Sequence, residues 1–250
     1  MLSQMPSSSK KKITKRRKSK KMRGGVTRKK LLTRRKVSDL TREIGLAHGG
    51  SLNARIKKFV RPALTNQSIF MAVRYYLAGG DRKQRIVDKY GDISQWDVSN
   101  VTNMEAMFWG ARSFNQPLNN WDVSNVTDMR WMFADAESFN QPLNKWNVSN
   151  VTKMWSMFLN TRSFNQPLNK WNVSKVNNME WMFWDARSFN QPLNKWNVSK
   201  VTNMRDMFWN AESFNQPLNN WDVSKVTSMS GMFYGARSFN RPLHAPWSFF

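Results

Sequence analysis

Residues 96–120 read WDVSNVTNMEAMFWGARSFNQPLNN, and the same text returns with small changes five more times. The later copies begin at 25-residue intervals without insertion, at Trp121, Trp146, Trp171, Trp196 and Trp221. A fixed period means that every copy occupies an equivalent place in a repeating structure. A period of 25 lies within the range of leucine-rich repeats, about 20 to 29 residues, and is too short for helix-pair repeats or propeller blades.

The apolar residues of one copy predict its local structure. In the second copy they follow steps of three and four residues, at Val126, Met129, Met132, Phe133 and Ala136. This spacing predicts a short helix with one buried stripe, capped at its start by Ser124. The residues from Pro142 to Trp146 are interpreted as a short strand that proline can begin. The predicted fold is an α/β solenoid, a stack of about six coils that each contain a strand, a turn and a short helix.

In-register stacking would place each residue over its own copy in the next coil, at about the spacing of paired strands. The six Phe equivalent to Phe139 and the six Trp that begin the copies are each expected to form an internal ladder. The Asn that follows each Phe, such as Asn140, is expected to satisfy backbone groups of the loop. At a further outward position the charges mostly alternate in sign, as neighbouring coils should prefer; it holds Arg112, Glu137, Arg162, Arg187, Glu212 and Arg237.

The repeat consensus W-[DN]-V-S-x-V-T-x-M-x-x-M-F-x-x-A-x-S-F-N-Q-P-L-N resembles the BspA-type leucine-rich repeat, a mycoplasma-type surface-protein repeat formerly catalogued as a domain of unknown function. Residues 64–96 also resemble the segment that usually precedes such repeats. The resemblance covers about residues 64–245. It implies a curved solenoid used for adhesion or protein binding, with no catalytic residues to carry over.

Composition and turn signals divide the chain into five parts. Residues 1–36 are predicted to be a disordered polybasic tail, and residues 37–63 a short helical linker with helices near 38–47 and 51–60. Residues 64–95 are predicted to form a helical N-terminal cap, residues 96–245 the repeats and residues 246–250 a C-terminal aromatic plug. In the cap, one helix is expected from Thr65 or Asn66 to Leu77 and a second from Asp81 to Tyr90. At the C-terminus, Trp247, Phe249 and Phe250 are expected to cover the last coil, with an exposed docking peptide as the alternative.

The net charge of +24 is concentrated near the start of the chain. Residues 1–36 hold 16 of the 40 Lys and Arg and no Asp or Glu, so the remaining residues carry 24 basic against 16 acidic groups, or +8. Such a segment indicates nucleic-acid contact, an anionic membrane or nuclear targeting, and the alternative is a tail that only aids solubility. The candidate polyanion-binding residues are Lys10, Lys11, Lys12, Lys15, Arg16, Arg17, Lys18, Lys20 and Lys21. Because no aromatic residue interleaves them, phosphate neutralisation is expected rather than base stacking.

Catalysis and metal binding find little support. The chain has no cysteine, and its two histidines, His48 and His244, lie outside the regular repeats. Three copies carry an Asp after the first Trp and three carry an Asn, which favours capping of a helix start over a calcium site. No enzyme activity, cofactor or small-molecule substrate is therefore expected. The chain also lacks a signal-like apolar region and an apolar run of about 18 residues, which predicts an intracellular protein. The basic tail is compatible with a nucleus, and family analogy suggests a virion.

The variable outward positions of the predicted helix carry aromatic residues in every copy. They are predicted to form an aromatic ridge that binds a protein partner, made of Trp109, Trp131, Trp155, Trp181, Trp184, Trp209 and Tyr234. Contiguous exposed aromatic residues mark contact surfaces. The alternative is that these rings pack flat as an outer layer of the core.

Together these features predict a non-enzymatic repeat scaffold that binds protein partners, with a basic arm for polyanions. By family analogy it could serve a large DNA virus, where similar unanchored repeat proteins occur. The alternative is a BspA-type cell-surface adhesin with an unrecognised export route.

Overall fold

The structure is a computed structural model that describes residues 61–243 and Trp247. The predicted basic tail, the two predicted helices between residues 38 and 60, and Phe249 and Phe250 lie outside the described residues.

Two α-helices precede the repeats and confirm the predicted helical pair. Helix α1 spans Asn66–Ala78 and helix α2 spans Gly80–Tyr90, and a single 3-10 turn follows at Ile93–Gln95. The N–H of Thr65 donates to Ser68 Oγ over 2.9 Å at the start of α1. Gly79, with a φ of 71°, ends α1, because glycine adopts positive φ without steric cost.

The predicted α/β solenoid is wrong, because residues 96–243 contain neither an α-helix nor a β-strand. Parallel pairing between coils is limited to isolated bridges such as Asn103 with Asp128. The helix predicted from Val126 to Ala136 is absent because Trp131 and Asp135 have φ values of 51° and 57°. A right-handed helix cannot continue through such left-handed residues.

The left-handed residues recur at the same two repeat positions in every copy. The first position holds Ala106, Trp131, Ser156, Trp181, Asp206 and Gly231, and the second holds Gly110, Asp135, Asn160, Asp185, Asn210 and Gly235. In each coil the two left-handed residues lie four positions apart, within a stretch of ten residues that we call the turn segment. The six turn segments are 103–112, 128–137, 153–162, 178–187, 203–212 and 228–237.

Backbone hydrogen bonds in the turn segments alternate between two directions. The N–H of Phe108 donates to the carbonyl of Met132 in the next coil, over 2.9 Å. The preceding N–H, of Met107, instead closes a turn within its own coil on the carbonyl of Met104, over 3.3 Å. Neighbouring coils are thus joined by their backbones, and polar groups are satisfied, without strand conformation.

The residues between turn segments also form turns rather than the predicted strand. We call these stretches link segments; they are 113–127, 138–152, 163–177, 188–202 and 213–227. The strand predicted from Pro142 to Trp146 is wrong, because the N–H of Trp146 bonds back to the carbonyl of Leu143 over 3.1 Å. Ser124 caps no helix; its N–H donates to Asp122 Oδ1 over 3.1 Å, and this carboxylate stabilises a turn.

The predicted register of the copies is confirmed. Phe139 stacks between Phe114 and Phe164, with ring centroids 5.9 and 6.0 Å away. Trp146 likewise stacks on Trp171 at 6.3 Å. Columns of Phe, Trp, Met, Val and Leu from equivalent positions form one continuous buried core along the stack.

The predicted asparagine ladder is also confirmed. Asn140 Oδ1 accepts hydrogen bonds from the N–H of Asn165 and from Gln166 Nε2, both over 3.0 Å. The buried indole of Trp146 adds a further bond between coils, because its Nε1 donates to the carbonyl of Leu118 over 3.0 Å. Side-chain hydrogen bonds therefore join the coils along the link segments.

Aromatic contacts cover both ends of the described stack. At the start, Tyr76 of α1 meets the edge of Trp96 with centroids 5.7 Å apart. At the other end, Trp247 is buried and stacks on Trp221 at 6.2 Å. Among the described residues, no helix has both the length and the apolar character needed to cross a bilayer.

Candidate functional site: an aromatic strip on the turn segments

The seven predicted ridge residues all lie on the outer side of the turn segments, although no helix holds them. We call them together the aromatic strip; they are Trp109, Trp131, Trp155, Trp181, Trp184, Trp209 and Tyr234. Trp109 and Tyr234 are 66% and 64% exposed, whereas the five between them are half-buried. The strip therefore combines freely accessible rings at its two ends with rings partly packed on their neighbours.

Direct contacts join parts of the strip across neighbouring coils. Trp209 stacks on Tyr234 with ring centroids 4.0 Å apart, and Trp131 meets Trp155 edge to face at 6.2 Å. Trp109 stands apart at the first coil, where its Nε1 donates to Asp135 Oδ2 over 2.9 Å. Stacking and these polar anchors fix the ring orientations, so little side-chain entropy remains to be lost on binding.

A shallow apolar depression lies at the middle of the strip. It is lined by Leu159, Trp181 and Trp184 and has a volume of about 360 Å³. Trp181 is held at the rim because its Nε1 donates to Asp206 Oδ2 over 3.1 Å. A preformed concave site lined by aromatic side chains suits an apolar anchor residue of a partner.

Arg130 provides the main charged group next to the aromatic rings. Its guanidinium lies 4.8 Å from the centroid of Trp155 and 5.7 Å from that of Trp131, within range of cation–π attraction. Its Nη2 bonds to Asp128 Oδ2 over 2.7 Å and to Glu105 Oε2 over 2.8 Å. The strip therefore presents an arginine whose position is fixed from both sides.

The two partners of this arginine pair alter each other's titration. Burial opposes ionisation of Asp128, but hydrogen bonds from Arg130 and the charge of Lys153 outweigh it and hold the pKa of the carboxyl below its ordinary value. The hydrogen bond that Arg130 donates to the Asp128 carboxylate in turn raises the pKa of Arg130. Both groups stay charged at neutral pH, so the pair is a fixed part of the surface.

A second charged cluster beside the strip was missed by the sequence analysis. Asp185 is only 4% exposed, and its carboxylate receives Arg162 Nε over 3.1 Å and Arg187 Nε over 2.9 Å. The predicted alternation of charges is present beside it, since Glu137 pairs with Arg162 at 3.8 Å. The signal for Asp185 was the run of Gly, Asp and Asn at its repeat position, residue types that tolerate positive φ.

The other predicted sites are not placed by the structure. The nine basic candidates from Lys10 to Lys21 lie outside the described residues. Within residues 61–243, no group of three or more His, Cys, Asp or Glu side chains is arranged as a metal site could be.

Identical coils in register, with one aromatic strip along their outer side, define a stacked-repeat protein. Residues 82–188 and 167–249 match the family described as "Mycoplasma protein of unknown function, DUF285". Because these matches together span more than half of the chain, the chain belongs to this family. The predicted relationship is thus confirmed at the level of the family, while the strand that defines a leucine-rich coil is absent from the described repeats. No curated protein and no solved structure matches the chain.

Proposed function

We propose that this protein is a non-catalytic repeat scaffold whose aromatic strip binds a protein partner. The observation that carries the proposal is the fixed arrangement of the strip, in which Arg130 lies over Trp155 and a depression is lined by Leu159, Trp181 and Trp184. Trp, Tyr and Arg dominate the energetics of protein interfaces, especially where they are held rigidly. Membership of the family is consistent with this role and specifies no partner.

Substitution of Trp181 and Trp184 distinguishes a protein-binding surface from the alternative that these half-buried rings only form an outer layer of the core. In a variant with Trp181→Ser and Trp184→Ser, partner capture by cross-linking should fall at least tenfold, since two anchor residues are lost. The melting temperature should fall by only a few degrees, because both rings are already partly exposed to solvent.

The matched control is Trp171→Phe, a conservative change of a buried ladder residue far from the strip surface. It should lower the melting temperature while leaving capture unchanged once the protein is folded. An unaltered set of captured proteins with the double variant, or a thermal loss as large as that of the control, would contradict an interface at the strip.

The basic arm is the second part of the proposed function, a contact for polyanions. Its support is the segregation of charge, because residues 1–36 hold 16 basic residues and no acidic one. Such a segment releases counterions from nucleic acid, so binding weakens steeply with salt.

Changing the nine candidates from Lys10 to Lys21 to Gln in the full chain should weaken binding to random-sequence duplex DNA and flatten its salt dependence. Equal affinity and an equal salt slope for the original protein and the variant would contradict the proposal that the basic arm binds polyanions.

A further inference from the structure

A second set of cations lies on the link segments, on residues that the structure describes. Six lysines occupy two repeat positions there, and all six are exposed. We call them the lysine face; they are Lys145, Lys170 and Lys195 at the last position of a copy, and Lys175, Lys200 and Lys225 at the fifth.

The charge of this face follows a rule within the chain itself. Where a copy boundary reads NNWD, as at residues 119–122 and 219–222, an asparagine precedes the Trp and an aspartate follows it. At the other three boundaries the text is NKWN, as at residues 144–147, so that a lysine replaces the asparagine before the Trp and an asparagine replaces the aspartate after it. Each exchange removes one negative and adds one positive charge. As a result, residues 138–152, 163–177 and 188–202 contain no Asp or Glu at all.

Among the described residues, none of the six lysines forms an ion pair within 4 Å, which distinguishes them from the arginines of the turn segments; only Lys225 has a nearby carboxylate, Asp222, whose pKa its charge helps to lower. Their recorded ammonium contacts are with neutral amides, from Lys145 Nζ to Asn120 Oδ1 over 3.4 Å and from Lys175 Nζ to Asn150 Oδ1 over 2.8 Å. By contrast, Arg162 and Arg187 both pair with the buried Asp185. Positive charge is therefore neutralised on one side of the coil and left available on the other.

The spacing of the coils fixes the spacing of these charges. Trp146 and Trp171, which follow Lys145 and Lys170, stack with ring centroids 6.3 Å apart. Lysines at one repeat position therefore follow one another from coil to coil, and like charges directly opposite on neighbouring chain segments are unfavourable. The two lysine columns of a coil lie on consecutive turns five residues apart, which limits their separation to about 18 Å. A regular array of this kind is stabilised by a bound chain of negative charges.

We propose that the lysine face binds the phosphate backbone of nucleic acid, independently of the basic arm. Lysine contacts a phosphate as a mobile point charge and needs no fixed geometry. The Phe and Trp columns of the link segments are buried in coils three to five, so no ring is offered for base stacking there. The face therefore recognises phosphate spacing and carries no sequence preference.

The test replaces Lys145, Lys170 and Lys195 by Asn in the full chain and measures binding to a short random-sequence duplex across a salt series. The variant should fold, because Asn120 and Asn220 occupy the same position in other copies. Each phosphate contact contributes about 0.9 to the slope of log affinity against log salt, so the slope should fall by about 2.7. An unchanged slope and affinity would overturn the proposal.

The matched control removes the same charge from the helical cap, by changing the exposed Arg74, Arg82 and Arg85 to Gln. The slope of log affinity against log salt for this control should differ from that of the original protein by less than about 1, which corresponds to about one phosphate contact. A fall as large as that of the lysine variant would mean that only net charge matters, and would also overturn the proposal.

The arm and the face are separated by repeating the experiment in the full chain whose nine arm residues are Gln. Residual DNA binding that disappears on adding the three lysine changes supports the face, whatever the arm contributes. Residual binding that is indifferent to those changes rejects the face and leaves the proposal for the arm untouched. Stronger binding of inorganic polyphosphate than of the duplex would reject nucleic acid as the occupant.

Discussion

The turn segments and the link segments solve the same structural problem by different chemistry. Turn segments join neighbouring coils with backbone hydrogen bonds, such as that from Phe108 to Met132, and pair their arginines with buried or half-buried carboxylates. Link segments add hydrogen bonds from Asn and Trp side chains to backbone bonds such as that from Thr152 to Thr127, and they leave their lysines exposed. The lesson is that one short repeat can build two chemically distinct long surfaces around a shared core.

The shared core should give the largest loss of stability. Phe158 is fully buried and stacks on Phe133 and Phe183, both at 5.7 Å, and on Phe164 at 4.2 Å. Phe158→Ala should lower the free energy of unfolding by about 3 to 5 kcal/mol, measured by chemical denaturation. A loss below about 1 kcal/mol would mean that the coils do not depend on a common aromatic core.

The link segments depend on their asparagine ladder, so its loss ranks next. Asn165 Oδ1 accepts from the N–H of Asn190 over 3.0 Å and from Gln191 Nε2 over 2.9 Å. Asn165→Ala should cost about 1 to 3 kcal/mol, because a partly buried backbone donor loses its acceptor. The control is Asn240→Ala in the sixth copy, whose Oδ1 accepts no hydrogen bond among the described residues; similar losses for both variants would refute the ladder as the link between coils.

The turn segments depend instead on left-handed backbone, and a smaller effect tests that dependence. Asn210 has a φ of 53°, and glycine stands at the same repeat position in the first and last copies. Asn210→Val should be about 1 to 2 kcal/mol less stable than Asn210→Gly, since a branched side chain clashes in this region. Equal stability of the two variants would show that the turn does not require positive φ.

The charge pairing of the turn segments should appear as a pH dependence. The pKa of Asp128 is lower in the folded protein than its ordinary value, so its contribution to stability is present above that value and is lost as the pH falls through the folded pKa. Unfolding by denaturant between pH 7 and pH 2 should therefore show a steeper loss for the original protein than for Asp128→Asn. If stability fell equally with pH in the two proteins, the ion pair of Asp128 with Arg130 would contribute nothing to the free energy of unfolding.

The sequence was sufficient to predict the register, because identical Trp, Phe and Asn residues at a fixed period can only stack on their own copies. It was insufficient for the conformation of the turn segments. Apolar steps of three and four residues are produced by a succession of turns as well as by a helix, as Met129, Met132 and Phe133 show. The Gly, Asp and Asn residues at the position of Asp185 were a signal for positive φ. Trp131 and Trp181 gave no such signal, since bonds between coils hold their backbone in that region.

The position of a side chain could be predicted where one repeat position determined it, and could not be predicted where two copies had to cooperate. The outward positions of the aromatic strip could be read from single columns, and the structure places all seven on the outer side of the turn segments. The charged cluster at Asp185 joins two different repeat positions from neighbouring coils, so no single column revealed it. The lysine face became meaningful only once the paired arginines were seen on the other segments.

Both surfaces exist only if the copies lie in register, and spin labels can measure this register directly. Ser138, Ser163 and Ser213 are exposed at one repeat position, and the chain has no cysteine of its own. Labels on Ser138→Cys with Ser163→Cys should show strong dipolar broadening, and labels on Ser138→Cys with Ser213→Cys should show much less. Equal broadening for the two pairs, or none for the first, would contradict the stack of identical coils.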